Sequence, residues 1–83
     1  MKDSEKKLKA LRGEIDGVDD KLLALISQRA RLAQQIAAVK DGDGGDVYRP
    51  DREAEVLRRL AAANPGPLSD DRVIRLFQEV VSE

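Results

Sequence analysis

Arg29 occupies the apolar stripe of a long predicted helix, at a position where a core residue is expected. Its guanidinium keeps its charge, and burying that charge without a partner costs several kcal/mol. The side chain therefore needs a neighbouring carboxylate, a water-filled cavity or an anionic ligand. The alternative is a structural arginine that is paired, or whose stem lies on apolar surface with its head in water.

Four other charged residues are spaced so that they could join Arg29 around one small anion. Lys40 follows eleven residues later, which on a helix is about 16 Å along the axis and within about 20° of the same face. Arg12 precedes Arg29 by seventeen residues, or about 25 Å, so it could reach the same ligand only from a second chain. Arg52 and Glu53, at the start of a later helix, could fold back over the pocket. Taken singly, each charge is typical of a solvated side chain or of one that complements a helix dipole. Their joint arrangement favours a binding site for one small anion.

A cluster of this kind suits a dianionic substrate. Fixed cations and one carboxylate would hold the substrate in a reactive conformation and stabilise developing charge. Such a reaction needs neither a nucleophile nor a metal. The sequence has no cysteine and no histidine, which removes thiol nucleophiles, disulfides, the usual zinc ligands and the commonest general base. We therefore expect no metal site.

The helix that carries Arg29 is predicted from apolar residues at alternating steps of three and four. It should run from about Ser4 to Lys40, with Ser4 as its cap, and reach about 55 Å in length. A helix of that length needs a partner. Two antiparallel copies would bring Arg12 of one chain towards the middle of the other and create a two-fold symmetric pair of sites. The stripe consists of Leu8, Leu11, Ile15, Val18, Leu22, Leu25, Arg29, Leu32, Ile36 and Val39.

Two shorter helices are predicted after a glycine-rich and aspartate-rich loop at residues 41–46. Pro50 should open the second helix, which is expected to end near Ala63. Ser69 should cap a third helix that extends to Glu83. The apolar faces of these helices are formed by Val56, Leu57, Leu60, Val73, Ile74, Phe77, Val80 and Val81.

Composition limits the class of protein. The 83 residues form one small domain that is 41% hydrophobic but only 2% aromatic, which favours an all-α bundle with an aliphatic core. Fifteen basic and sixteen acidic residues give a net charge of -1, and no basic run is interleaved with aromatics, so nucleic-acid binding is not expected. No segment approaches the roughly 20 apolar residues of a membrane span. We expect a cytoplasmic protein.

The charged residues lie within short motifs that resemble the all-helical chorismate mutase family, in particular the N-terminal mutase domain of bifunctional chorismate mutase-prephenate dehydratases. The resemblance covers about Leu8 to Ser82, nearly the whole chain. The motifs that carry it are Leu11-Arg12, Ile15-Asp16, Lys21-Leu22-Leu23, Arg29, Lys40, Tyr48-Arg49-Pro50, Arg52-Glu53, Asn64-Pro65-Gly66-Pro67-Leu68 and Leu76-Phe77.

This resemblance implies an intertwined helical homodimer and the Claisen rearrangement of chorismate to prephenate, in phenylalanine and tyrosine biosynthesis, without a cofactor. By position, Arg29 and the partner's Arg12 would hold the two carboxylates of the substrate. Lys40 would donate a hydrogen bond to the ether oxygen, and Glu53 would accept one from the ring hydroxyl. Arg52 would add positive charge near the substrate's carboxylates. A prephenate dehydratase domain could follow in the parent protein.

Two features depart from the family pattern. The family often has an aspartate three residues before the Arg-Glu pair, and Arg49 stands there. The family's third helix also continues with further site residues, and we expect this domain, residues 1–83, to end before those turns. Two other functions remain open: an isochorismate-pyruvate lyase on the same fold, and a non-catalytic helical module for dimerisation or ligand binding.

Overall fold

Three helices make up the secondary structure in a computed structural model that describes residues 2–43 and 50–82. Side chains are described for residues 2–39 and 50–82. The helices are α1 (Lys2–Asp43), α2 (Pro50–Ala62) and α3 (Asp70–Val81). One long helix followed by two short ones confirms the predicted all-α fold. None of the described helices is both long enough and apolar enough to cross a membrane.

α1 extends beyond both of its predicted ends. It begins at Lys2 rather than at Ser4, so Ser4 is not its cap, and Asp3 and Glu5 lie in its first turn, where acidic side chains favour the positive end of the helix dipole. At the other end, residues 41–43 continue the helix although a loop was predicted there. A single glycine costs a helix only about 1 kcal/mol, and adding residues to an existing helix is much cheaper than starting one. The rest of the predicted loop, residues 44–46, lies outside the described residues, as do Tyr48 and Arg49.

The chain divides into two compact units, residues 1–32 and residues 33–83. The described part of the first unit is the portion of α1 up to Leu32, and its large apolar side chains are between 44% and 66% exposed. A helix is only marginally stable in water on its own, and packing of its apolar face supplies most of its stability in proteins. The apolar face of this unit therefore requires a covering surface. The exposed residues are Leu8, Leu11, Ile15, Val18, Leu22, Leu23, Leu25, Ile26 and Leu32.

The second unit has a small core in which α2 packs against α3. Among the described residues, Val56 of α2 and Val81 of α3 are the buried hydrophobic side chains, at 6% and 9% exposure. The other apolar residues predicted to face this core are half-buried. They are Leu57, Leu60, Val73, Ile74, Phe77 and Val80.

Local signals fix where α2 and α3 begin, whereas α3 ends at Val81 with Ser82 as its C-cap, before the predicted end at Glu83. Pro50 opens α2 as predicted, since its fixed φ suits the first helical turn and its missing N–H is not needed there. Ser69 caps α3 as predicted, because its Oγ accepts from the backbone N–H of Arg72 over 3.2 Å. Between the helices, Gly66 adopts a φ of 75°, a left-handed conformation that favours glycine. α2 and α3 are therefore joined by a short ordered bend.

Candidate active site

Arg29 lies on α1 in the first unit, between stripe residues Leu25 and Leu32. Its side chain is half-buried, whereas Leu25 and Leu32 are 61% and 50% exposed. A guanidinium that has lost part of its hydration binds a carboxylate more strongly than a fully solvated one, and its planar fork can do so through two parallel hydrogen bonds. Arg29 is thus suited to hold an anionic group.

Arg12 lies on the same unit and is exposed. It lines a shallow groove on the surface of α1 together with Glu5, Leu8, Lys9, Gly13 and Asp16. Gly13 leaves this surface open, since a Cβ placed there would meet nothing within 4 Å. The Arg12 guanidinium is therefore accessible to a group that approaches α1 from outside.

Lys40 belongs to the backbone of α1, but its side chain lies outside the described residues. The predicted convergence of Lys40 and Arg29 on one ligand therefore stays a prediction. Arg49, the departure noted in the sequence, also lies outside the described residues.

Arg52 and Glu53 lie together in the first turn of α2, as predicted. Glu53 is half-buried and stands where the positive end of the helix dipole favours a carboxylate. Arg52 is exposed, and its Nη1 donates to Oε1 of Glu55 over 2.8 Å. The first turn of α2 thus carries both a carboxylate and a guanidinium.

Glu55 contacts Arg52, although the sequence analysis did not single it out. It lies three residues after Arg52, a spacing at which helical side chains of opposite charge meet. That spacing was visible in the sequence. It could not be distinguished there from the many other acid-base pairs of a chain that is 37% charged.

The five predicted site residues are divided between the two units. Arg12 and Arg29 belong to the first unit, and Lys40, Arg52 and Glu53 belong to the second. Their joint role in binding a dianion therefore stays a prediction.

Comparison of the sequence with known protein families shows the class to which this chain belongs. The sequence model of the family described as chorismate mutase type II matches residues 11–83, a range that includes all five predicted site residues. The chain belongs to the chorismate mutase type II family. The helical chorismate mutase predicted from the sequence is thereby confirmed as its class.

Relatives of this chain include bifunctional chorismate mutase/prephenate dehydratases. The chain is 51% identical over 80 residues to the one from Pseudomonas aeruginosa, covering 90% of this chain and 22% of that protein. It is 49% identical over 72 residues to the one from Neisseria gonorrhoeae, covering 87% of this chain and 19% of that protein. The chain thus spans about a fifth of the length of these curated relatives.

A solved structure resembles almost the whole chain. Chorismate mutase (Form I) from Thermus thermophilus superimposes with a TM-score of 0.90 and is 41% identical, covering 92% of this chain and 95% of that chain. The match therefore extends to nearly all of the solved chain.

Proposed function

We propose that this chain converts chorismate to prephenate in the cytoplasm, acting as a homodimer whose two sites are each shared between the subunits. The observation that carries the proposal is Arg29, a half-buried cation within the apolar stripe of α1, in a chain that belongs to the chorismate mutase type II family. The reaction is an intramolecular rearrangement that forms a C–C bond as a C–O bond breaks. It requires no nucleophile, which suits a chain without cysteine or histidine.

In this proposal the two arginines of α1 bind the substrate. Arg29 and the partner subunit's Arg12 would each hold one of the two carboxylates of chorismate. Holding both ends fixes the enolpyruvyl side chain over the ring in a chair-like arrangement. Fixing reacting groups in this way removes entropy before the chemical step and accelerates it strongly.

Charge stabilisation falls to Lys40. Negative charge grows on the ether oxygen as the C–O bond breaks, and an ammonium placed there would donate a hydrogen bond that strengthens in the transition state. A single preorganised donor of this kind contributes about 3 to 4 kcal/mol to catalysis. Lys40 is the proposed donor, and its place on α1 after Arg29 supports that role.

The start of α2 would recognise the remaining groups. Glu53 would accept a hydrogen bond from the ring hydroxyl, and Arg52 would add to the positive field that attracts the carboxylates. Their adjacent positions in the first turn of α2 support these roles. Both residues lie in the range matched by the family model.

The exposed apolar stripe of α1 supports the proposed homodimer. The stripe is largely exposed in the single chain, and burial of such a stripe drives helix association. A second copy in antiparallel orientation would cover it and would place Arg12 opposite the middle of the neighbouring α1.

Relatives of this chain are named as bifunctional chorismate mutase/prephenate dehydratases, so a parent protein with a fused dehydratase domain is also proposed.

The activity can be tested by following the loss of chorismate absorbance, with acid conversion of the product to phenylpyruvate. We expect turnover by the wild-type dimer and a loss of at least about a hundredfold in Arg29→Ala, with partial recovery in Arg29→Lys, which keeps the charge but not the fork. Size-exclusion chromatography checks that the variants stay dimeric. A folded wild-type dimer without turnover would contradict the proposal. Pyruvate release from isochorismate would instead indicate a lyase.

A further inference from the structure

We propose that Glu55 is a positioning residue for Arg52, holding its guanidinium ready for the substrate. The contact is direct, since Arg52 Nη1 donates to Glu55 Oε1 over 2.8 Å within α2. The inference rests on the proposed function, in which Arg52 adds to the field on the carboxylates of chorismate. Glu55 itself touches neither the substrate nor the reacting atoms in this scheme.

The geometry of the pair leaves Arg52 able to bind a second anion. A guanidinium carries five N–H donors in one plane, and the contact to Glu55 uses a donor of Nη1. The donors of Nη2 and Nε project from other edges of the same plane. The contact with Glu55 restricts the rotamers of the long Arg52 side chain before substrate binds. Less conformational entropy is therefore lost when Arg52 binds the substrate.

The position of Arg52 explains why it needs such a partner. It lies in the first turn of α2, where the positive end of the helix dipole disfavours a cation. Glu55 lies three residues further along, and its carboxylate accepts a hydrogen bond from the guanidinium. Without that carboxylate, the guanidinium would be free to swing away from the helix end into water.

A purely structural role accounts poorly for this pair. The two side chains are 61% and 65% exposed, and ion pairs this exposed contribute little to folding stability. Loss of Glu55 should therefore leave the fold intact. Its effect should be on the affinity for substrate.

The test compares chorismate kinetics of wild type, Glu55→Ala and Glu55→Gln. We expect Glu55→Ala to raise KM by about two- to fivefold with little change in kcat, the range that the loss of one exposed pair allows. Glu55→Gln keeps an oxygen acceptor and should recover part of the loss. Glu79→Ala is the matched control, because it removes one exposed carboxylate from α3 and should leave KM unchanged. An unchanged or lower KM in Glu55→Ala would overturn the inference.

A double-mutant cycle separates this inference from the proposed function. If Glu55 acts through Arg52, Glu55→Ala should have no further effect on KM in an Arg52→Ala background. A full effect of Glu55→Ala in that background would overturn the positioning role while leaving the mutase activity established. Nitrogen-15 spectra of the Arg52 guanidinium provide a readout without substrate. We expect slower guanidinium rotation in wild type than in Glu55→Ala, and equal rotation would also overturn the inference.

Discussion

Asn64 donates from Nδ2 to Oδ1 of Asp70 over 2.8 Å, across the bend that joins α2 to α3. The same Nδ2 donates to the carbonyl oxygen of Leu68 over 2.7 Å, and its Oδ1 accepts from the backbone N–H of Gly66 over 3.0 Å. One side chain thus links the end of α2 to the bend and to the first turn of α3. The bend sets how α3 packs against the helix that carries Arg52 and Glu53.

Asn64→Ala should lower the free energy of unfolding by about 1 to 3 kcal/mol, because three hydrogen bonds are lost at once. The bonded groups are partly exposed, so water would replace part of the loss. Urea unfolding followed by far-UV circular dichroism, at one fixed protein concentration, measures the change.

Asn64→Asp distinguishes the donated hydrogen bonds from the accepted one. It keeps an acceptor for Gly66 but removes both donated bonds and places a carboxylate against Asp70. It should therefore be at least as destabilising as Asn64→Ala at neutral pH. A wild-type urea midpoint in both variants would show that the bend does not depend on Asn64.

The features that could be predicted from the sequence are those set by local chemistry. Pro50 at the start of α2 and the Ser69 cap of α3 need only their neighbours in the chain, and both were predicted correctly. The end of α1 was predicted wrongly because Gly42 weakens a helix by an amount that a long helix can absorb. Glu55 was missed because its spacing from Arg52 is common on charged helices. The role of Arg12 depends on a second chain, which no pattern within one sequence fixes.

Val18→Lys should separate the proposed dimer. Val18 belongs to the stripe of α1 and is 57% exposed in the single chain, so its burial depends on a partner. A lysine there would bring two unpaired charges into an antiparallel interface, at a cost of several kcal/mol. Analytical ultracentrifugation should show a shift from dimer to monomer. Helix content should also fall, since α1 would lose its packing.

Asp20→Lys is the control for that experiment. Asp20 lies two residues further along α1, is exposed, and falls outside the apolar stripe. The same lysine at this position should leave the dimer intact. Dissociation of both variants would indicate a charge effect unrelated to the stripe, and a stable Val18→Lys dimer would contradict an interface along it.

Sharing of the sites between subunits can be tested by mixing two inactive variants. Arg12→Ala and Arg29→Ala homodimers should each lack turnover, because every site would miss one of its carboxylate-binding arginines. A mixed dimer would have one site that lacks both arginines and one that has both. Random exchange of equal amounts makes half of the dimers mixed, so activity should recover to about one quarter of wild type. Mixtures made without subunit exchange should stay inactive. No recovery after exchange, verified by mass spectrometry of the mixed dimer, would show that Arg12 and Arg29 act within one chain. Turnover by the Arg12→Ala homodimer alone would show that Arg12 is not part of the site.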